Sequence, residues 1–162
     1  MSFTKPTIFI SHINEHEKLA GLMKKLINEV FSGAMETFVS SDEESIGLGD
    51  EWLSKININL ENCNVMLLIC SEQSVNRPWI AFEAGVGWAK KIKVVPVCCF
   101  GLNIKDLPMP FNRWQATNVS RVDSLNRLLK MLAKEFEMDY DESKWIGIIG
   151  KYADMIKKLE NN

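Results

Sequence analysis

The segment VMLLIC, residues 65–70, decides the fold that this sequence predicts. All of its residues are apolar, so it lacks the alternation of polar and apolar positions that a strand with one solvated face would show. A strand that is apolar on both faces belongs in the middle of a sheet covered by helices on each side. The segment is therefore predicted to be a central, buried strand.

The residues that follow predict a helix and then another strand. RPWIAFEAGVGWAKK, residues 77–91, reads as a helix because Pro78 suits its first turn, and the two glycines inside it weaken the helix without breaking it. VVPVCCF, residues 94–100, is predicted to be the fourth strand. Pro96 cannot donate a backbone N–H, so this strand either lies near an edge or has its pairing interrupted there.

The residues before the central strand predict two further strands and two helices. PTIFIS, residues 6–11, and ETFVS, residues 36–40, read as strands one and two. Between them, Asn14 with Glu17 three positions later forms a capping-box pattern that predicts the start of an amphipathic helix. After a polar loop, a second helix is expected over residues 52–60.

The last third of the chain predicts a short fifth strand and two amphipathic helices. QATNV, residues 115–119, is the candidate strand, and apolar positions at helical spacing mark helices over residues 125–136 and 145–159. Strands that alternate with helices at short intervals imply parallel strands joined by right-handed crossovers. The predicted fold is therefore a three-layer α/β sandwich.

Length and composition indicate one compact domain. The chain has 162 residues, of which 46% are hydrophobic, and it shows no repeat or linker. We predict a single domain over residues 1–162, with a core at about 6–136 and a C-terminal helical extension at about 141–160. These lengths allow a sizeable core without disulfides or a metal.

Charge and cysteine usage exclude several classes of partner. A net charge of −2 argues against a broad nucleic-acid interface, which needs clustered lysine and arginine. Neither a signal-peptide pattern nor an apolar run of membrane-spanning length occurs, so we predict a cytoplasmic protein that does not contact membranes. The four cysteines have no CxxC spacing and are predicted to be buried, reduced thiols rather than metal ligands.

The predicted topology indicates where a ligand would bind. In open parallel sheets, ligands bind beyond the carboxyl ends of the strands, here at the loops that begin at Ser11, Ser40 and Ser71. A Ser-His-Asp triad is disfavoured because no GxSxG elbow occurs and adjacent strand residues point to opposite faces. Ser11 and His12 therefore either satisfy neighbouring backbone groups or form a polar floor for a ligand.

Phosphate-binding motifs are absent from the sequence. Neither GxGxxG nor GxxxxGK[ST] occurs, which disfavours a standard dinucleotide-binding fold or a P-loop ATPase. GLGDEW, residues 47–52, could cradle an anion, although glycines in such places more often only make a turn. The loop that contains it is acidic, and it is either a simple exposed loop or a lid or assembly contact.

Trp79 and Glu83 form the most informative pair in the sequence. Residues four apart on a helix share a face, so the carboxylate of Glu83 is expected beside the indole. In the structural interpretation, Glu83 is an acid favoured by the nearby helix N-terminus. In the functional one, the carboxylate stabilises an oxocarbenium-like transition state beside an aromatic wall. A cationic leaving group, such as the nicotinamide of NAD⁺, would need no second carboxyl group.

Taken together, IFISH, FVSSDEESIGLGDEW and LLICSEQSVNRPWIAFEAG resemble, in order and spacing, the motifs of a Toll/interleukin-1 receptor (TIR) domain of the stand-alone bacterial kind. The resemblance covers roughly residues 6–136. It implies a flavodoxin-like fold with a five-stranded parallel sheet of order 2-1-3-4-5. The second motif corresponds to the second strand with the so-called BB loop, and the third contains the WxxxE helix.

The resemblance also implies an activity. Many bacterial TIR domains cleave NAD⁺ to nicotinamide and ADP-ribose or a cyclic ADP-ribose-type messenger, as in Thoeris antiphage defence. By this resemblance Glu83 is the catalytic residue, NAD⁺ is the substrate rather than a cofactor, and no metal is needed. The nucleotide-binding positions that it implies are Ser11, His12, Asp42, Ser45, Ser71 and Trp79.

Expected partners are further copies of the chain and an effector that senses the product.

Two other functions remain open. A non-catalytic TIR scaffold would use the BB loop only to bind partners, and an enzyme similar to nucleoside deoxyribosyltransferases would use a helix glutamate on nucleosides.

Overall fold

The sheet of this protein has five parallel strands in the predicted order 2-1-3-4-5, with helices on both faces. The structure is a computed structural model, and it describes residues 4–41 and 60–162. The fold class predicted from the sequence is confirmed. The strands are β1 (Thr7–His12), β2 (Glu36–Ser41), β3 (Val65–Cys70), β4 (Lys93–Cys98) and β5 (Thr117–Asn118).

The strand predicted to be central lies between β1 and β4, and all of its residues are buried. Its side chains alternate between two hydrophobic cores. Val65, Leu67 and Ile69 pack into one core, and the residues between them pack into the other. This burial on both faces explains why the segment shows no polar alternation.

Helices cover the sheet unequally in the described part of the chain. The described helices are α1 (Glu17–Val30), α2 (Pro78–Ala89), α3 (Val122–Glu135) and α4 (Glu142–Glu160). The first core contains apolar residues of α1, α3 and α4, and the second contains those of α2. None of these helices is long and apolar enough to cross a membrane.

Two helix predictions from the sequence differ from the structure or lie largely outside it. The capping box predicted at Asn14 is wrong, because Asn14–His16 forms a 3₁₀ turn and α1 begins only at Glu17. The His16 N–H donates to the carbonyl of Ile13 at 2.9 Å, which closes this turn before the helix starts. The helix predicted over residues 52–60 lies outside the described residues except at its end, where Leu60 is helical.

The sequence left two possibilities for Pro96, a strand near the edge of the sheet or an interruption of pairing. The structure shows the interruption, on the side of β4 that faces β5. Strand β5 pairs only with Val97 and Cys98, immediately after Pro96. On the other side β4 pairs with β3 along its whole length. Pro96 therefore occupies the place where the missing N–H costs no strand pairing.

The final helix is an integral part of the first core. Asp141 caps it by accepting a hydrogen bond from the Ser143 N–H at 3.0 Å. Its residues Ile149, Ala153 and Ile156 are buried, and helix α4 packs against both α1 and α3. The division into a core and an extension stays a prediction, although buried residues of α4 belong to the first core and pack on α1 and α3.

Candidate functional site

The candidate site is built around a hydrogen bond between β1 and α2. The Ser11 hydroxyl donates to Oε1 of Glu83 at 3.2 Å, and both side chains are fully buried. Ser11 lies near the carboxyl end of β1, in register with Leu68 of β3, and so close to the region that the parallel topology predicts for a ligand. The structure thus brings the predicted strand-end serine and the predicted catalytic carboxylate into direct contact.

The packing of α2 explains why Glu83 points inward. Arg77 is extended (φ −88°, ψ 123°) and Pro78 begins the helix, which fixes its first turn. The buried positions of α2 are Ile80, Glu83, Ala84 and Gly87, so the glutamate lies on the stripe that faces the sheet.

Gly87 lets this stripe approach the sheet closely. A Cβ atom at Gly87 would lie 3.0 Å from Cε of Met66 and 3.1 Å from Cγ2 of Val94. A larger residue at this position would press on the side chains of Met66 and Val94, which would have to shift. Gly87 and Glu83 both lie on the buried face of this helix.

Trp79 lies one turn before Glu83 and is partly buried against the second core. Its indole stacks on Phe82, with ring centroids 6.2 Å apart and an interplanar angle of 26°. The Phe82 side chain remains exposed. The two aromatic rings therefore form an apolar wall on the helix that carries the carboxylate.

Strand alternation separates His12 from Glu83. Ser11 shares its face of β1 with Phe9, which packs into the core of α2, whereas His12 shares its face with Ile8 and Ile10, which pack beneath α1. His12 is 1% exposed, and its Nδ1 lies 2.6 Å from the carbonyl oxygen of Ile13. Burial lowers the pKa of His12, so the ring is held neutral. Its predicted nucleotide contact stays a prediction.

Ser71 and Ser74 hydrogen-bond each other in the loop after β3. The Ser71 N–H donates to Oγ of Ser74 at 2.8 Å, and the Ser74 N–H donates to Oγ of Ser71 at 3.0 Å. The Ser74 hydroxyl also donates to the carbonyl of Ile69 at 2.8 Å. These serines shape the loop that leads into α2, and nucleotide binding by Ser71 stays a prediction. The other two predicted positions, Asp42 and Ser45, lie outside the described residues.

A polar bridge that sequence reasoning missed joins the loops after β1 and β3. Oε1 of Glu15 accepts hydrogen bonds from Nη2 of Arg77 at 2.8 Å and from Nε2 of Gln73 at 2.9 Å. The bridge crosses the carboxyl ends of the two central strands. No sequence signal relates these residues, because they lie about 60 positions apart and each reads as an ordinary surface residue.

Metal binding has no support among the described residues. They contain no cluster of histidine, cysteine and carboxylate side chains that could hold a metal ion. The thiols of the cysteines are free and buried, as the sequence predicted. Burial raises the pKa of Cys63 and Cys98 to about 11 and that of Cys70 to about 12, so these thiols stay protonated.

A separate cavity of about 570 Å³ lies between β4 and α3, at the amino-terminal end of β4. Its lining includes Lys91, Lys93, Trp114 and Arg127, and none of Ser11, Trp79 or Glu83 contributes to it. In a parallel sheet this is the end opposite the Ser11–Glu83 contact. The candidate site and this cavity are therefore distinct places.

The fold and the contact between Ser11 and Glu83 define a flavodoxin-like α/β domain with a buried carboxylate at the carboxyl ends of its strands. The sequence matches the TIR domain family over residues 8–129. Since this match covers most of the chain, the protein belongs to the TIR domain family.

Two solved structures are similar to this chain. The TIR domain of the Toll-related receptor TRR-2 from Hydra magnipapillata is 13% identical and superposes with a TM-score of 0.59, over 83% of this chain and 99% of that domain. The TIR domains of the activated Roq1 resistosome, which recognises the pathogen effector XopQ, are 13% identical, with a TM-score of 0.43 over 93% of this chain and 84% of that one. The first likeness shows the shared fold. The comparison with curated proteins gave no match.

Proposed function

We propose that this TIR domain cleaves NAD⁺ to nicotinamide and ADP-ribose or a cyclic ADP-ribose-type nucleotide. The observation that supports the proposal most is the hydrogen bond from Ser11 to the buried Glu83 carboxylate. Burying a carboxyl group costs stability, which a single hydrogen bond offsets only in part, and buried acids of this kind cluster at functional sites. Stabilising positive charge on a ribose ring is a function that such an acid can serve.

The proposed reaction needs only one carboxylate. The bond between the ribose carbon and the nicotinamide nitrogen breaks, and its electron pair leaves with nicotinamide, which becomes neutral. The ribose ring becomes oxocarbenium-like, and Glu83 stabilises this charge electrostatically. Water then attacks to give ADP-ribose and releases a proton, or a nucleophile of the same nucleotide attacks to give a cyclic product.

The remaining residues are assigned supporting roles. Ser11 orients the Glu83 carboxylate, and the aromatic wall of Trp79 and Phe82 flanks the helix on which it lies. His12 and Ser71, with Asp42 and Ser45 of the acidic loop, are proposed nucleotide contacts on the basis of the family resemblance.

The wider setting is also part of the proposal. By its resemblance to stand-alone bacterial TIR domains, the protein acts in the cytoplasm in antiphage defence. It self-associates through TIR interfaces, and its product acts on a separate effector.

Product analysis tests the activity. The purified protein, concentrated or with a crowding agent, is incubated with NAD⁺, and nicotinamide is followed by chromatography. We expect Glu83→Gln to lower nicotinamide release by about 100-fold or more, because the variant keeps the shape of the side chain but loses its charge. Glu137→Gln is the matched control, since Glu137 is exposed and far from the site in sequence.

Each other outcome points to a different function. Equal release by the wild type and Glu83→Gln would refute the catalytic assignment. Absence of turnover under every activating condition would favour a TIR scaffold that only binds partners. Base exchange on deoxynucleosides would favour an enzyme similar to nucleoside deoxyribosyltransferases.

A further inference from the structure

The C-terminal helix contacts the loop that follows β4. Glu160 is the last residue of α4, and its Oε1 accepts a hydrogen bond from the backbone N–H of Phe100 at 2.9 Å. Helix α4 lies beyond residues 8–129, which match the TIR domain family. A residue outside the family match therefore holds a backbone group at the carboxyl end of the sheet.

Phe100 adopts a backbone conformation that needs support. Its φ angle is +49°, in the left-handed region, and Gly101 continues the bend at +84°. A side chain with a Cβ atom disfavours this region, by roughly 1–2 kcal/mol. A hydrogen bond from a backbone N–H to a carboxylate is among the stronger ones in proteins and offsets such a cost. Glu160 thus stabilises the bend at Phe100.

The ring of Phe100 in turn packs on the loop after β1. It stacks on His16, with ring centroids 4.7 Å apart and an interplanar angle of 12°. His16 is 5% exposed and ends the 3₁₀ turn that follows β1. Burial lowers the pKa of His16 to about 4, so the stacked imidazole is neutral at physiological pH.

We propose that α4 positions the carboxyl end of β1, and with it Ser11, through Glu160, Phe100 and His16. Glu160 is then a positioning residue of the candidate site, since it touches neither Ser11 nor Glu83. The effect on turnover rests on the proposed NAD⁺ cleavage, whereas the effect on the end of β1 does not.

Three variants of α4 test the proposal. Glu160→Ala removes the acceptor of the Phe100 N–H. Glu160→Gln retains an oxygen that can accept this hydrogen bond. Asp154→Ala is the matched control, because Asp154 is an exposed acid on the same helix.

Nuclear magnetic resonance measures the contacts directly. In the wild type, we expect the ring current of Phe100 to shift the His16 ring protons upfield, because the two rings are stacked. We expect Glu160→Ala to move these signals and the backbone amide signal of Ser11, whereas Glu160→Gln and Asp154→Ala leave both near their wild-type positions. If Glu160→Ala does not fold, Phe100→Leu replaces it, since it removes the ring while keeping an apolar side chain.

Turnover provides the second measurement. We expect Glu160→Ala to lower kcat for nicotinamide release by about threefold. This is a small effect, since misplacing a reacting group by a full ångström can lower the rate by roughly 100-fold. The KM for NAD⁺ should change little, and Glu160→Gln should restore kcat.

The outcomes separate this proposal from the proposed function. Wild-type His16 and Ser11 signals in Glu160→Ala would overturn the positioning role. Shifted signals with an unchanged kcat would overturn it too, because the contact would then be merely structural. If the wild type releases no nicotinamide, the proposed function fails and the resonance measurements alone decide the positioning proposal.

Discussion

Ser11 donates a hydrogen bond to Glu83 across 72 positions of sequence, and this contact joins β1 to the helix that follows β3. Both side chains are fully buried, so neither can exchange its partner for bulk water. The contact therefore affects stability as well as the proposed chemistry.

Removal of the Ser11 hydroxyl should destabilise the fold. We expect Ser11→Ala to lower the free energy of unfolding by about 1–3 kcal/mol, because the buried carboxylate loses a donor. Urea denaturation measures this change. In a double-mutant cycle with Glu83→Met, the double variant should be less destabilised than the sum of the single variants. Additivity within about 0.5 kcal/mol would contradict a direct energetic coupling between the two side chains.

Two glycines on α2 should respond in opposite ways to alanine. A Cβ atom at Gly87 would press on Met66 and Val94, whereas one at Gly85 meets nothing within 4 Å. Gly85→Ala should stabilise the protein by about 0.5–1 kcal/mol through helix propensity. Gly87→Ala gains the same propensity but overpacks the core, so it should be less stable than Gly85→Ala by about 1 kcal/mol or more.

Thermal unfolding of these two variants provides the comparison. Because Gly87 holds α2 against the sheet, Gly87→Ala should also lower nicotinamide release, and Gly85→Ala should not. Equal stability of the two variants would show that the side chain of Met66 moves aside without cost.

His16 should make the fold sensitive to acid. Its pKa is about 4 in the folded protein against an ordinary value of 6.5, because burial disfavours the charged ring. Between these values the unfolded chain binds more protons than the folded one, so stability falls as the pH drops from 6.5 towards 4. Below about 4 both states are protonated and the loss is complete.

The variant His16→Phe isolates this contribution. Phenylalanine keeps a ring for stacking on Phe100 but cannot bind a proton. We expect its free energy of unfolding, measured by denaturant titration from pH 7 to pH 4, to fall less steeply than that of the wild type. Parallel curves for the two proteins would mean that His16 is not responsible.

The cysteine thiols should not react with alkylating reagents in the folded protein. All four are buried, and burial raises the pKa of each thiol, Cys99 included. Iodoacetamide at pH 8 should therefore modify none of them in the native state and all of them in denaturant. Mass spectrometry counts the adducts, and rapid native labelling of any one thiol would contradict its burial.

The sequence by itself determined the parallel sheet and the position of Glu83 on a helix. Apolar residues at every position of 65–70 required a strand buried on both faces, and this requirement led to the parallel sheet. The spacing of Trp79 and Glu83 placed both on one face of a helix, because helical periodicity is a local property, and the family resemblance singled out Glu83 as the candidate. Pro96 also limited the sequence to two alternatives, an edge position or interrupted pairing, because proline lacks an N–H, and the structure shows pairing with β5 only after it.

Only the tertiary structure decided which side chains meet. Alternation places Ser11 and His12 on opposite faces, but the packing of α2 determined that Ser11 is the one that reaches Glu83. The contact of Glu160 with Phe100 likewise joins segments 60 positions apart. Such contacts depend on strand order and on how closely helices approach the sheet, and these are properties of the packed chain that no short stretch of sequence contains.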